Sequence, residues 1–224
     1  MRQSWWKILA IVLLLYTLIA GLLMDVPRLP ILNETIRALH FHVTMWFGMI
    51  LMLVAAVYYS IKYLRTNDIR NDDMAIEFTN SAILFGVLGI VTGMLWAKFT
   101  WGDYWSGDPK QNAAAIGILI YFAYLVLRNS LTDAQQRARI GAIYNIFAFA
   151  AFIPLIFVLP RLTDSLHPGN GGNPGFNAYD LDSKLRAVFY PAIIGWTLFG
   201  GWMATVRVRM RRVERTIEDR MINS

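Results

Sequence analysis

Imidazole occurs three times in the chain, at His40, His42 and His167. Neutral imidazole is the commonest protein ligand for transition metals and titrates near neutral pH. Cysteine is absent, which excludes thiolate metal sites, disulfides and thiol exchange. The densest aromatic cluster runs Trp96-Ala-Lys-Phe99-Thr-Trp101-Gly-Asp-Tyr104-Trp105, and Ser-Gly-Asp108-Pro-Lys110-Gln follows it. A flat aromatic shelf suits a large planar apolar ligand, and two imidazoles from opposite sides can close the axial positions of an iron at its centre. The same Trp and Tyr residues also fit an interfacial belt that anchors helix ends, and a lone histidine beside a helix start fits an interfacial polar group. His40 and His42 are two residues apart, about 200° on a helix, so at most one faces a given site. Asp108 has the form of a helix N-cap followed by Pro109 and Gln111. Lys98, Lys110, Arg161 and Arg186 are cations available to ligand carboxylates or to lipid headgroups.

These side chains need elements to position them, and composition says which kind. Of 224 residues, 56% are hydrophobic and 16% charged, and mean hydropathy is +0.43. Stretches without Asp, Glu, Lys or Arg cover 8–24, 38–61, 78–97, 111–127, 140–160 and 187–206. About 20 apolar residues in a helix cross a hydrocarbon core. The expectation is all-α: a polytopic membrane protein with six transmembrane helices in one domain, 1–224. Its long loops lie around 96–110 and 161–186. Arg2 and Lys7 before an apolar run resemble a signal peptide, but Leu18-Ile19-Ala20 lacks a cleavage pattern, so an uncleaved first helix is expected.

Lys and Arg divide 14 to 7 between the two sides of this topology. The richer side holds both termini and takes the cytoplasm by the positive-inside rule. The basic net charge of +6 is then a topology signal, and no nucleic acid is implied. All three histidines fall on the opposite side. Gly89-x-x-x-Gly93 predicts close helix packing in the third span. Pro154 and Pro191 are expected to kink the fifth and sixth, and Met45, Met49 and Met52 to form a packing stripe on the second.

Trp101-Gly-Asp-Tyr-Trp105-Ser-Gly-Asp108-Pro-Lys110 resembles the tryptophan-rich (WWD) signature of the haem-handling proteins of cytochrome c biogenesis. Leu39-His-Phe-His42-Val-Thr-Met-Trp46 resembles that family's first histidine at a helix start, and Ser165-Leu-His167 its second. Within the family, six helices in 224 residues are similar to the haem exporter group, CcmC. The resemblance implies a protein of the bacterial inner membrane that holds haem b at the periplasmic face. It implies delivery to the haem chaperone CcmE, together with the transporter subunits CcmA and CcmB and the small protein CcmD. Carried onto this sequence, His42 and His167 become axial iron ligands, and Trp96, Trp101, Tyr104, Trp105 and Asp108 complete the ligand-contacting set. Gly107 stands where the signature has a tryptophan, so one ring of the shelf is absent or is supplied by Tyr104 or Phe99. Thr44 stands where the family commonly has proline. His40 is a second candidate for the place of His42.

Competing functions leave different marks. A transmembrane electron carrier needs histidines in the middle of its spans, and a permease needs ionisable groups there; the charge-free segments offer neither. No Gly-x-x-x-x-Gly-Lys-Ser/Thr motif is present, so an ATPase would be another chain. Binding and transfer without covalent chemistry of its own is the expectation. The alternative is a transporter membrane subunit whose aromatic loops are only anchors and partner contacts. The six arginines of 207–220 read as a positive-inside anchor, or as a contact for anionic lipid or a cytoplasmic partner.

Overall fold

The computed structural model describes residues 4–28, 31–168 and 181–222. Six helices long and apolar enough to span a membrane account for most of them: α1 (Trp5–Leu23), α2 (His42–Thr66), α3 (Ile69–Trp101), α4 (Pro109–Asn129), α5 (Ala134–Phe157) and α6 (Ser183–Ile222). Short 3-10 helices precede α2 (Asn33–His40) and follow α5 (Leu159–Arg161). No strand occurs among the described residues.

Local sequence sets the helix limits. Asp68, Asp108 and Asp133 each accept a hydrogen bond from an amide of the first turn, at 2.9 Å from Arg70, 2.8 Å from Lys110 and 2.7 Å from Gln136. These bonds satisfy amides that a helix start leaves without a partner. Asn67 and Gly102 close α2 and α3 in the left-handed region, at φ 51° and 95°, the usual way for a chain to leave a helix.

The adjacent α2 and α3 form the central pair, with α1 and α6 packed to one side and α4 and α5 to the other. The methionine stripe packs as expected: Met45, Met49 and Met52 are buried with Leu53, Phe85, Tyr121 and Phe152. Gly89 and Gly93 make the close approach between α2 and α3, and a methyl group on Gly89 would lie 2.8 Å from the Trp46 ring. Pro154 and Pro191 lie inside continuous helices.

Two elements, α3 and α6, outrun their charge-free segments furthest. α3 starts at Ile69, which places Asp72, Asp73 and Glu77 within the helix and buried. α6 continues to Ile222, and its arginines meet those carboxylates. Arg207 and Arg211 hold Glu77 at 2.8 and 2.6 Å; Arg212 and Arg215 hold Asp73. Arg128 of α4 makes a bidentate pair with Asp72, both side chains almost fully buried. The basic tail, read as a positive-inside anchor, is thus also tied into the bundle. Four of its arginines are held by carboxylates of α3, because a buried carboxylate must be paired to remain charged. The bundle thus has an arginine end and, opposite it, a histidine end.

Candidate functional site

His42 is the first residue of α2, and its ring lies against α3. Its Nδ1 is 2.9 Å from the Gly89 carbonyl and 3.3 Å from Thr92 Oγ1. A carbonyl only accepts, so Nδ1 carries the proton and Nε2 keeps its lone pair. A methyl group on Gly93 would come within 2.6 Å of His42 Cε1. Only glycine there leaves room for the ring. Trp96, a turn further along α3, stacks over His42 with centroids 6.3 Å apart and planes 19° apart.

His167 comes from the connection between α5 and α6, and Asp108 holds it. One Asp108 oxygen accepts from the Lys110 amide and lies 2.9 Å from His167 Nδ1. The other accepts from the Leu166 amide at 2.7 Å and the Ser165 hydroxyl at 2.9 Å. Asp108 is thus both the cap of α4 and the orienter of His167. Burial raises the Asp108 pKa, but the hydrogen bonds from His167, Leu166 and Ser165 outweigh it and hold the carboxyl well below its usual range. Burial lowers the His167 pKa; the Asp108 hydrogen bond and charge oppose that, and Lys110 adds to it. The net direction is down, which favours the neutral ring. Asp108 fixes Nδ1 as the protonated nitrogen, and Nε2 is again the donor.

Both imidazoles line one cavity of about 620 Å³, within the usual span of small-molecule sites. Trp46, Trp96 and Trp105 line it with them, and Ile36, Phe47 and Leu185 add apolar wall. Trp101 does not line the cavity. Its ring packs edge-on to Trp96 at 4.9 Å and to His167 at 5.0 Å. Tyr104 lies outside as well, half exposed, with Lys98 Nζ 5.6 Å from its ring centroid. Phe99 is 78% exposed, so neither Tyr104 nor Phe99 supplies the ring missing at Gly107. Gly107 itself has φ +74°, a conformation that a tryptophan there would adopt only with strain. His40 is buried against Gly21 and α1, outside the cavity lining.

The expected set therefore separates by position. His42, His167, Trp96 and Trp105 face one space, with Asp108 and Trp101 supporting His167 from behind. Sequence reasoning missed Trp46 and Phe47, which precede the aromatic cluster, and the bracing of His42 by Gly89 and Gly93. It noticed that glycine pair but read it only as helix packing. The glycines that follow His167, at 169, 171, 172 and 175, lie outside the described residues.

Both held imidazoles have the form of metal ligands, since a ligating histidine ordinarily donates its second nitrogen to a carbonyl or carboxylate. The buried Trp96 indole N–H has no hydrogen-bond partner among the described residues. A cavity lined by two imidazoles, indole rings and apolar walls fits a planar iron tetrapyrrole.

The chain is similar to the cytochrome c biogenesis protein CcsA of Synechococcus sp. (strain CC9605), 36% identical over 87 residues, 39% of this chain and 28% of that protein. CcsA of Pelargonium hortorum is 32% identical over 93 residues, 41% and 29% of the two chains. That of Prochlorococcus marinus (strain NATL1A) is 35% identical over 91 residues, 41% and 27%. The matched parts thus span under a third of those relatives' length. A family model described as heme exporter protein C, CcmC, matches residues 1–223, and by that match the chain belongs to the heme exporter protein C family.

Proposed function

We propose that this chain is a haem-handling component of cytochrome c biogenesis, binding haem b in the cavity between His42 and His167 and passing it on. One observation carries the reading: the Nδ1 of each histidine is committed to a protein acceptor, leaving two Nε2 donors in one largely apolar cavity. Bound haem would supply an iron, which His42 and His167 would hold through Nε2. Trp96 and Trp105 offer ring faces to the macrocycle, while Trp101 supports the His167 ring. The chain performs binding and release, with no covalent chemistry of its own.

The two ligands differ in how they are held. His42 is wedged into the α2–α3 contact, whereas His167 rides on an interhelical connection and is held by Asp108, Ser165 and the Trp96 and Trp101 rings. His167 is therefore the ligand that exchanges when haem leaves. The positive-inside count puts the arginine end in the cytoplasm and the histidine end at the periplasmic face of a bacterial inner membrane. There the recipient is a CcmE-like haem chaperone, with CcmA and CcmB as transporter subunits and CcmD as the small companion, as the resemblance implies.

The test is an absorption spectrum of the protein in mild detergent, oxidised and reduced, beside His42→Ala and His167→Ala. A low-spin b-type spectrum is expected, lost in His42→Ala and weakened in His167→Ala with faster release. A colourless protein that takes up no added haem would return the aromatic loops to the role of membrane anchors. Equal and complete loss in both variants would remove the assignment of His167 as the exchanging ligand.

A further inference from the structure

A second cavity, about 420 Å³, lies at the arginine end, floored by Ile76 and Asn80 of α3 and walled by α4, the start of α5 and the extension of α6. Arg128, Arg137, Arg211 and Arg215 line it, with the Asn129 amide. The α3 carboxylates that its arginines meet are already engaged. Asp72 is held by Arg128, Glu77 by Arg207 and Arg211, and Asp73 by Arg212 and Arg215. The one acid in the lining, Glu214, is exposed. Arg137 has no ion pair among the described residues, and its guanidinium makes one long bond, 3.4 Å, to the Leu131 carbonyl. Six arginines here face four carboxylates, so the groove keeps a positive surplus.

Depth indicates what that surplus meets. Arg128 directly follows the charge-free segment of α4, and Asn80 lies near the start of that of α3. Charged residues at such limits sit at headgroup level. Leu125 lines the groove beside them. Leu119, Phe122 and Val126 form an exposed apolar stripe along α4 that leads up to it.

We propose that this groove binds the phosphate of an anionic lipid headgroup, with Arg137 as the principal unpaired contact and the acyl chains along the α4 stripe. Guanidinium groups match phosphate oxygens in forked geometry. Basic pockets between membrane helices are suited to anionic lipid. A lipid held here would bridge α6 to α4 and α5, which the protein itself leaves apart at this end.

The experiment uses the full chain, delipidated in detergent, and follows its thermal unfolding midpoint as dioleoyl phosphatidylglycerol or dioleoyl phosphatidylcholine is added. Phosphatidylglycerol is expected to raise the midpoint and phosphatidylcholine to leave it unchanged. Arg137→Gln should weaken the apparent affinity about fivefold, the contribution of one basic side chain near an anionic surface. Arg137→Lys should retain most of it, and Arg139→Gln, exposed and outside the groove lining, should match wild type. Native mass spectrometry of unmodified protein gives an independent readout, with phosphatidylglycerol retained over phosphatidylcholine. Equal retention of both lipids, or an Arg137→Gln titration identical to wild type, overturns the proposal. So does inorganic phosphate reproducing the whole shift, because the site would then take the free anion.

Discussion

The two ends of the bundle use buried polar groups in opposite ways. At the arginine end, buried carboxylates are matched by arginines from α4 and α6, and the product is a connected fold. At the histidine end, one buried carboxylate, Asp108, is spent on orienting an imidazole, and a carbonyl of α3 is spent on another. The product there is two nitrogen donors turned toward a cavity. Polar groups at one end satisfy each other, while those at the other leave a donor atom over. On the proposed reading the first arrangement stabilises and the second binds haem, so substitutions at the two ends should fail in different assays.

The largest effect is expected from breaking the buried pair. Asp72→Ala leaves the Arg128 guanidinium buried without its carboxylate, which costs about 3–5 kcal/mol in comparable pairs. Thermal unfolding in detergent should show it, while the protein that remains folded keeps its haem spectrum. Arg128→Met combined with Asp72→Leu should recover much of the loss, because replacing both ions by apolar groups removes the stranded charge. An Asp72→Ala protein as stable as wild type would contradict the view of this end as a structural clamp.

At the histidine end the signature reverses. Asp108→Asn keeps a good helix cap and should unfold near the wild-type temperature. It replaces the charged acceptor for His167 with a neutral amide, and loss of such a support typically costs about 10–100-fold in metal-site affinity. Haem titration followed by the Soret band is the check. An unchanged haem affinity would mean that Asp108 serves α4 alone.

Gly93→Ala probes His42 from behind. The added methyl would sit 2.6 Å from the ring, and overpacking of this kind costs about 1–3 kcal/mol when a packed neighbour must shift. Because the ring must turn off the Gly89 carbonyl, the low-spin spectrum should weaken together with the modest loss of stability. Gly201→Ala on α6 is the matched control, since nothing lies within 4 Å of a methyl group there. It should leave both readouts unchanged.

The arrangement was unequally legible in the sequence. Runs without charge revealed six helices because hydrocarbon excludes charge, and the Asp-Pro start of α4 followed from capping chemistry. The same rule hid the true length of α3 and α6. A charged residue interrupts an apolar run but does not interrupt a helix, and Asp73 or Glu77 is tolerated once arginines from α6 arrive. Those partners lie more than a hundred residues away and leave no local trace. His42 and His167 were visible as types beside an aromatic cluster, yet their tautomers depend on Gly89 and Asp108, which only packing brings to them. The aromatic cluster itself looks uniform in sequence. In the structure Trp105 lines the cavity and its neighbour Tyr104 lies outside it.

That division gives the smallest and most discriminating comparison. Trp105 lines the cavity, and its indole N–H donates to Asn112 Oδ1 at 3.2 Å. Tyr104, its neighbour in sequence, is half exposed beside Lys98. Removing one ring that stacks on a planar ligand is worth about 0.5–1.5 kcal/mol, so Trp105→Ala should weaken haem binding severalfold without unfolding the protein. Tyr104→Ala should leave haem affinity within the error of the same titration. Equal losses would mean that the whole cluster closes over the ligand when it binds. No loss in either would confine the binding surface to the histidines, Trp46 and Trp96, and would return Trp105 to a membrane-anchoring role.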